Sequence, residues 1–340
     1  MSFKICVIGC GGIVQSGHGP SYVAYKKKHP NTVLAGCCDI DKTAAQHCKN
    51  EFGFLSAYTD YHAMLNAERP DVVCVITPVH ATKKIAVDVL KKGYPVLLEK
   101  PPGLDAGETR EIIQAARETG LSAFVAFNRR YMPLLQALKQ ELLENPNPIT
   151  HIDYMFVRMD CDCADFSTTA IHGIDAAKYL AGSDYNEVAF LHNQIDYFGN
   201  PCFNTTLSCK FTSGATGTLT FLPTGGSVIE RVLVTASDAT YFLELPVWNG
   251  LDMPGRLVCT YFNKPGKIIS GDALCGSREL FITNGFYGEN EAFFDKIKTG
   301  DFRQETVSSG LQSVEIAEYM RARRDLYVNG ATALKDIEEA

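Results

Sequence analysis

The sequence predicts an α/β protein that begins with a doubly wound parallel sheet and continues as an α+β domain with a mostly antiparallel, open sheet. Three observations predict this class. Short apolar runs alternate with amphipathic segments over the first 127 residues. Strand-like runs then follow one another with few helices between them. A chain of 340 residues also has the length of two domains.

The first domain, predicted at residues 1–127, contains five strand-like runs. Each run is short and apolar, which is typical of parallel strands that are buried on both faces. The runs occupy residues 3–9, 33–39, 71–77, 95–99 and 122–127. Helical spacing fills four of the intervals, at residues 43–52, 61–68, 81–92 and 106–119. Residues 15–20 follow the first strand, and we interpret them as an inserted loop.

The second domain, predicted at residues 128–340, begins with a helix at residues 131–144 that an Asn-Pro-Asn-Pro run ends. Seven strands are predicted at residues 150–159, 186–197, 205–212, 215–222, 228–236, 240–245 and 257–262. A helix at residues 169–180 interrupts them, and helices at residues 289–299 and 310–326 follow. Successive strands joined by Ser-Gly, Gly-Gly and Ser-Asp turns indicate an antiparallel sheet.

Composition excludes several classes of function. The net charge of −7 argues against binding to nucleic acid, whose phosphates require a basic surface. The sequence has no apolar run of 18 residues, so we expect no membrane partner, and the first apolar run is too short for a signal peptide. The 12 cysteines form no C-x-x-C pair, so we predict no metal site. We interpret them as small buried hydrophobes of a reduced, cytoplasmic protein.

A glycine cluster ends the first predicted strand. Gly9 suits a tight turn, Gly11 lets the backbone approach a pyrophosphate, and the helix that follows would face the phosphates. Val14 replaces the third glycine of the dinucleotide fingerprint, and a plain turn is the alternative. Asp39 ends the second strand, where an acid binds the ribose hydroxyls and would repel the extra phosphate of NADP. The pattern therefore predicts NAD, with NADP as the alternative.

Two further strand ends carry candidate residues. Thr77 and Pro78 end the third strand, at the edge where ligands bind in open α/β sheets. Glu99 and Lys100 directly follow the buried fourth strand and precede two prolines. Proline would hold Lys100 on a rigid corner, where a partly buried lysine can polarise a hydroxyl. An exposed salt bridge is the alternative.

The second domain supplies a candidate acid–base residue. His172 and Asp175 lie three residues apart, so they share a helical face. An imidazole that titrates near neutral pH suits proton transfer from an alcohol, although a core histidine is the alternative. Arg129, Arg130, Arg158 and Asp160 are candidates for substrate recognition, with surface ion pairs as the alternative.

These pieces occur together and in order, and the chain resembles the Gfo/Idh/MocA family, named after glucose–fructose oxidoreductase and inositol dehydrogenase. The resemblance covers nearly the whole chain. It is carried by VIGCGGI near the start, Asp39, Thr77-Pro78, LLEKPPG at residues 97–103, FNRRYMP at 127–133, IHGID at 171–175 and GFYGENEAFF before a late helix. The resemblance implies a Rossmann domain, a mostly antiparallel sheet whose outer face forms an oligomer interface, last helices that pack near the first domain, and a substrate cleft between the domains.

The resemblance also implies residue roles. Lys100 matches the lysine that contacts the substrate hydroxyl and the nicotinamide, and His172 matches the acid–base histidine. The dinucleotide contacts match Gly9, Gly11, Gly12, Ile13 and Asp39, the nicotinamide side matches Thr77, Pro78 and Glu99, and the strand end bordering the cleft matches Asn128 and Arg129.

One position departs from the family pattern. Many members carry an aspartate four residues before the histidine, where this chain has Thr168. A threonine cannot supply the negative charge that supports the imidazole, so the basicity of His172 is in question. Asp165 and Asp175 are substitutes, but neither occupies the matching position.

The resemblance and the motifs together predict an NAD(P)-dependent oxidoreductase that moves a hydride between nicotinamide and a hydroxyl-bearing carbon of a sugar, sugar derivative or cyclitol. His172 is expected to take the hydroxyl proton, and Lys100 to stabilise the developing alkoxide. A homo-oligomer, dimer or tetramer, is expected. A redox-assisted glycosidase that holds NAD tightly is one alternative, and a non-catalytic regulator that senses NAD or a sugar is the other.

Overall fold

The computed structural model describes residues 2–159, 165–300 and 306–330. The chain divides into two compact units. The first comprises Met1–Tyr131 together with Glu279–Leu311, and the second comprises Met132–Arg278 together with Gln312–Ala340. Asp160, one of the candidate substrate residues, lies outside the described residues.

The first unit begins with alternating strands and helices. They are β1 (Phe3–Ile8), a π-helical turn (Val14–His18), α1 (Gly19–Lys28), β2 (Thr32–Cys38), α2 (Lys42–Phe52), β3 (Ser56–Tyr58), α3 (Tyr61–Glu68), β4 (Val72–Val75), α4 (Val79–Lys91), β5 (Val96–Leu98), α5 (Ala106–Thr119), β6 (Ala123–Val125) and a 3-10 turn (Asn128–Tyr131). Asp41, Asp60 and Asp105 cap α2, α3 and α5, because each carboxylate accepts a backbone N–H of the first turn.

All six strands run parallel in the order β3-β2-β1-β4-β5-β6. This is the doubly wound order of dinucleotide-binding sheets. The central strands are buried on both faces, which explains their continuous apolar sequences. The predicted parallel domain is confirmed. The carboxyl ends of its strands share one edge, which carries the glycine cluster, Asp39, Thr77 and Glu99.

The expected loop at residues 15–20 is wrong. These residues form the π-helical turn and the start of α1. The loop was inferred from the long spacing between Gly11 and Asp39, but the extra residues form helical structure. A Cβ on Gly17 would lie 2.8 Å from the Phe286 ring, and a Cβ on Gly19 would lie 2.4 Å from the Phe52 ring. Glycine is needed at both positions because aromatic rings press against the helix.

The second unit carries the larger sheet. Its elements are α6 (Pro133–Glu144), β7 (Ile149–Val157), α7 (Ser167–Ala181), β8 (Tyr185–Tyr197), β9 (Asn200–Phe211), β10 (Thr216–Leu222), β11 (Ile229–Ala236), β12 (Ala239–Glu244), a 3-10 turn (Val247–Asn249), β13 (Arg256–Tyr261), β14 (Lys264–Ser270) and α8 (Gly271–Cys275).

Three helices and a short strand complete the described chain. They are α9 (Leu280–Thr283), α10 (Phe286–Thr299), α11 (Thr306–Arg321) and β15 (Leu326–Val328). The second sheet has the order β14-β13-β12-β11-β7-β10-β9-β8-β15. Within the described strands, β7 and β10 pair parallel and the other neighbours pair antiparallel. The mostly antiparallel second sheet is therefore confirmed.

Several element boundaries differ from the prediction. The short strands β3, β14 and β15 were not predicted. The last helix was expected to reach residue 326, but α11 ends at Arg321. Arg323 adopts a left-handed conformation with φ of +53°, and its N–H bonds the Met320 carbonyl. This conformation stops the helix, and β15 then pairs with β8.

Helix α10 packs against α1 within the first unit through aromatic side chains. The rings of Phe294 and Tyr25 lie 4.9 Å apart, and Phe293 and Phe294 are fully buried. Burial of one such ring stabilises the fold by about 1.5–3 kcal/mol. The packing also fixes the first turn of α10, which carries Glu289 and Asn290, beside the start of α1. No helix among the described residues is both long enough and apolar enough to cross a membrane.

Candidate functional site

The glycine cluster forms a tight turn at the carboxyl end of β1. Gly9 has φ of +96°, and a Cβ there would lie 2.0 Å from the Ile76 carbonyl oxygen. The Cβ positions of Gly11 and Gly12 meet no atom within 4 Å, so the space above them is open. The chain turns directly into helical structure at Val14. An open glycine loop at a helix N-terminus suits an anionic phosphate group.

Replacing Gly9 by Ala should destabilise the fold and abolish dinucleotide binding. The substitution forces an L side chain into a left-handed conformation and against the Ile76 carbonyl. We expect a loss of more than about 1 kcal/mol in the free energy of unfolding, measured by thermal denaturation. Gly12→Ala is the matched control, because its Cβ would meet nothing and its stability should be unchanged within error. Equal stability of Gly9→Ala and the parent would contradict the proposed steric role.

Asp39 lies just beyond β2, beside the glycine loop. Its Oδ2 accepts the Cys10 N–H at 2.8 Å, and its Oδ1 accepts the Asp41 N–H at 2.9 Å. The carboxylate therefore ties the loop to the end of β2 and retains lone pairs for further donors. Asp41 caps α2, because its Oδ1 accepts the Thr43 N–H at 2.8 Å.

Thr77 and Pro78 connect β4 to α4. The Thr77 hydroxyl lies 3.1 Å from the hydroxyl of Thr82, in the first turn of α4. Pro78 is the N-cap residue of that helix and is exposed. Both residues thus lie at the same strand-end edge as the glycine loop, which packs against Ile76.

Glu99 is held by His18, the last residue of the π-helical turn that follows the glycine loop. The Glu99 N–H bonds the Val75 carbonyl, which extends the β4–β5 pairing by one residue. His18 Nε2 donates to Glu99 Oε1 at 3.1 Å, and the Lys100 N–H donates to Glu99 Oε2 at 3.0 Å. Burial raises the pKa of the Glu99 carboxyl, but the His18 hydrogen bond and the Lys100 charge outweigh it, so this pKa is lowered.

The tautomer of His18 follows from its second partner. The Asn290 amide Nδ2 lies 3.0 Å from His18 Nδ1 and also donates to the Phe286 carbonyl at 2.7 Å. Because an amide nitrogen only donates, Nδ1 accepts and Nε2 carries the proton in the neutral ring. The His18 ring is fully buried. A neutral histidine thus presents its N–H to the Glu99 carboxylate and fixes the backbone that carries Lys100.

Glu289 is a second carboxyl in this region. It is fully buried, and neither of its oxygens has a hydrogen-bond partner within the described residues. Burial raises its pKa well above the usual range, the Glu99 charge raises it further, and Arg129 partly opposes the shift. The surroundings therefore shift the pKa values of these two carboxyl groups in opposite directions, upward for Glu289 and downward for Glu99.

Replacing Glu289 by Gln should flatten the pH dependence of stability. The folded pKa is raised above the usual value near 4.5, so between the two values the unfolded chain loses a proton that the folded chain keeps. Stability from this group is therefore lost as pH rises above about 4.5. Glu289→Gln removes this pH-dependent contribution to stability, so the fall in melting temperature between pH 4.5 and pH 8 should become shallower. Glu291→Gln, a partly exposed residue of the same helix, is the control. An unchanged slope in Glu289→Gln would contradict the assignment.

Asn128 and Arg129 lie in the 3-10 turn that follows β6, and both side chains are almost fully buried. The Asn128 amide donates to the Asn284 carbonyl at 2.9 Å, and Arg129 Nη1 donates to Asn128 Oδ1 at 3.2 Å. These bonds join β6 to the turn before α10 within the first unit. Arg130 is less buried and donates to the Ser309 hydroxyl at 3.1 Å.

His172 lies in α7 of the second unit and is partly exposed. Asp175, one turn later, is fully buried and accepts a bond from the Ser313 hydroxyl at 3.2 Å. The Thr168 hydroxyl donates to the Asp165 carbonyl at 3.3 Å, so it closes the first turn of α7. The family aspartate is therefore replaced by a residue whose hydroxyl bonds the backbone.

Arg158, a candidate for substrate recognition, forms a buried ion pair with Glu230. Tyr154 donates to the same carboxylate at 2.9 Å, and the guanidinium carbon lies 3.7 Å from the centre of the Phe156 ring. These contacts favour the alternative of an ion pair, although this pair is buried rather than exposed.

The structure groups the predicted residues by unit. The first unit carries Gly9, Gly11, Gly12, Ile13, Asp39, Thr77, Pro78, Glu99, Lys100, Asn128 and Arg129, and the second carries Arg158, Thr168, His172 and Asp175. Sequence reasoning missed the roles of His18, Glu289 and Asn290. His18 was assigned to a loop, and GFYGENEAFF was noted only as a motif. The available sequence signal for this role was Glu289, an acidic residue among aromatic residues in a predicted helix.

A cavity of about 750 Å³ lies at the opposite edge of the first sheet. Its lining includes Phe3, Asn31, Asp71 and Pro95, which lie at the amino ends of the strands. It is therefore separate from the edge that carries the glycine loop, and ligands of open α/β sheets bind at the carboxyl ends.

Residues 3–127 match the model of an oxidoreductase family described as having an NAD-binding Rossmann fold, GFO_IDH_MocA. Over these residues the chain is similar to the Rossmann domain of the Gfo/Idh/MocA oxidoreductases. The matched region contains the glycine loop, Asp39, Thr77, Glu99 and Lys100, so the similarity covers the edge described above.

Two curated dehydrogenases are similar in sequence. D-glucoside 3-dehydrogenase of Escherichia coli is 28% identical over 139 residues, or 41% of this chain and 38% of that protein. Myo-inositol 2-dehydrogenase of Thermotoga maritima is 24% identical over 236 residues, or 64% of this chain and 67% of that protein. The matched segments thus span between 38% and 67% of these relatives.

Solved structures share the fold over a greater length. A levoglucosan dehydrogenase in complex with NADH and levoglucosan superposes with a TM-score of 0.81 at 18% identity, covering 97% of this chain and 100% of that one. An NAD-binding oxidoreductase from Klebsiella pneumoniae gives a TM-score of 0.78 at 19% identity, covering 96% of this chain and 98% of that one. At these identities the likeness concerns the fold.

Proposed function

We propose that the chain is an NAD-dependent dehydrogenase that oxidises a hydroxyl-bearing carbon of a sugar, sugar derivative or cyclitol, or reduces the corresponding ketone. One observation carries the proposal. His18, at the end of the π-helical turn that follows the glycine loop, holds the Glu99 carboxylate, which in turn accepts the Lys100 N–H. These contacts fix the backbone of Lys100 beside a loop that suits a dinucleotide. The similar proteins named as glucoside and inositol dehydrogenases support the substrate class.

The residues present fit a nicotinamide dinucleotide. The open space over Gly11 and Gly12 leaves room for a pyrophosphate, and the following helix directs backbone N–H groups towards it. The Asp39 carboxylate lies beside this loop and suits the ribose hydroxyls. It would repel the 2′-phosphate of NADP, so we propose NAD as the preferred form.

The bound dinucleotide supplies a hydride acceptor or donor. Lys100 holds the substrate oxygen through its ammonium group and stabilises negative charge that develops there. Glu99 holds the backbone of Lys100, and His18 holds Glu99. We propose that His172 takes the hydroxyl proton in oxidation and returns it in reduction.

We also propose that two copies of the chain associate through the outer face of the second sheet. Leu233, Phe242, Val258 and Ile268 are paired in register across β11 to β14, so they share one face. Phe242 is 45% exposed and Ile268 is 70% exposed. An apolar row of this kind favours association. Phe242→Glu should reduce the mass measured by analytical ultracentrifugation from that of an oligomer to that of a monomer.

A cytoplasmic location stays a prediction.

A ligand and substrate screen tests the function. NAD at about 100 times its dissociation constant should stabilise the protein by roughly 2.7 kcal/mol, and NADP at the same concentration should stabilise it less. Sugars, glycosides and cyclitols are then tested for NADH formation by absorbance. Turnover on a member of this panel supports the proposal. Cleavage of a glycoside without net NADH release would replace it with the glycosidase alternative, and dinucleotide binding without turnover on the panel would favour a regulator.

A further inference from the structure

Three cysteines that are distant in the sequence meet behind the glycine loop. Cys10 lies in the loop after β1, Cys37 on β2 and Cys48 on α2. Their Sγ atoms all lie within 4.8 Å of one another. Each residue is at most 3% exposed. The sequence spacing contains no metal-binding pattern, so the cluster is created by the fold alone.

The thiols have weak hydrogen-bond partners. Cys37 Sγ donates to the Ala45 carbonyl at 3.3 Å, and Cys10 Sγ lies 3.7 Å from the Cys38 carbonyl. These three residues are part of the apolar core that also contains Val7 and Tyr22. No disulfide links them, because all three thiols are free. Three sulfur atoms thus converge in an apolar environment, beside backbone carbonyls that accept weak hydrogen bonds from Cys10 and Cys37.

We propose that Cys10, Cys37 and Cys48 form a binding site for a soft, thiophilic metal ion of the Cu(I) or Cd(II) class. Metal–sulfur bonds of about 2.3 Å in a trigonal arrangement separate the sulfurs by roughly 4 Å. The three sulfur atoms need to shift by less than about 1 Å to reach this separation. Soft thiolate ligands select such ions over Mg²⁺ or Ca²⁺.

The binding step involves no redox change. Each thiol that becomes a ligand releases one proton to solvent, and a metal–sulfur bond replaces the S–H bond. Three thiolates around one such ion leave a net negative charge behind the loop. Cys10 N–H also donates to Asp39, so the occupied site should lower the affinity of the loop for an anionic dinucleotide. This effect on the dinucleotide rests on the proposed function, whereas metal binding itself does not.

Cadmium titration of the reduced, full-length protein tests the site. The thiolate-to-cadmium charge-transfer absorption should saturate with one tightly bound ion in the parent protein. Cys37→Ser should bind this ion at least about tenfold more weakly, since loss of supporting groups alone has effects of this size. Cys6→Ser is the matched control, because Cys6 is a buried cysteine of β1 outside the cluster. Equal titrations of Cys37→Ser and the parent, or no tight binding in either, would overturn the proposal.

If Cys37→Ser does not fold, mass-spectrometric mapping of thiol alkylation in the parent protein tests the site instead. In mild denaturant, one equivalent of Cd(II) should slow the alkylation of Cys10, Cys37 and Cys48 in the parent protein and leave Cys6 unaffected. Equal protection of Cys6 and the three cluster residues would contradict a specific site. An NAD affinity that is unchanged by bound cadmium would overturn only the coupling to the loop.

Discussion

Replacing Lys100 by Met lowers kcat about 100- to 1,000-fold if the ammonium group stabilises charge on the substrate oxygen, the range found when one such donor is removed. Methionine keeps the length and the apolar stem of lysine, and the Lys100 N–H that bonds Glu99 is retained. The fold and dinucleotide binding should therefore be preserved. Steady-state kinetics on the substrate identified in the panel measures the loss, and NAD affinity is measured in parallel.

Lys92→Met is the control for this change. Lys92 is exposed at the end of α4. Its replacement also removes one positive charge, but at a position away from the strand-end edge. We expect its kcat to equal that of the parent. Turnover of Lys100→Met at the parent rate would remove this lysine from the mechanism.

Replacing His172 by Asn should lower kcat about 100- to 10,000-fold, the usual contribution of a positioned acid or base. Asparagine can still hydrogen-bond but cannot exchange a proton near neutral pH. The pH profile of kcat should lose the limb that reports this group, and the residual rate in the oxidation direction should increase with hydroxide concentration.

His80→Asn is the matched control, because His80 is an exposed histidine in the first turn of α4. Its pH profile should be that of the parent. A His172→Asn variant that retains both the parent rate and the parent pH profile would exclude the imidazole as the base. The proton would then leave by another route, such as Lys100.

The first sheet could be predicted almost strand by strand because parallel strands buried on both faces have continuous apolar sequences. Its edge was also predictable, since the glycine loop, Asp39 and Glu99 each follow such a run. The sequence predicted that the second sheet is mostly antiparallel, but it did not predict strands β14 and β15. Strand β14 contains Pro265 and Gly266 and is mostly exposed, so it lacks the alternating pattern from which strands are recognised.

The supporting network of the site could not be predicted, because its members are distant in the sequence. His18 and Asn290 meet only because aromatic rings pack α10 on α1. The packing role of Gly17 and Gly19 is visible only with the Phe286 and Phe52 rings in place. The cysteine cluster likewise arises from tertiary packing.

The central claim is that turnover requires both the ammonium group of Lys100 and the imidazole of His172. The kcat values of Lys100→Met, His172→Asn and the double variant on one substrate test it most directly. Both single variants should be slow, and the double variant should turn over no faster than the slower single variant. A single variant that turns over at the parent rate would contradict the account.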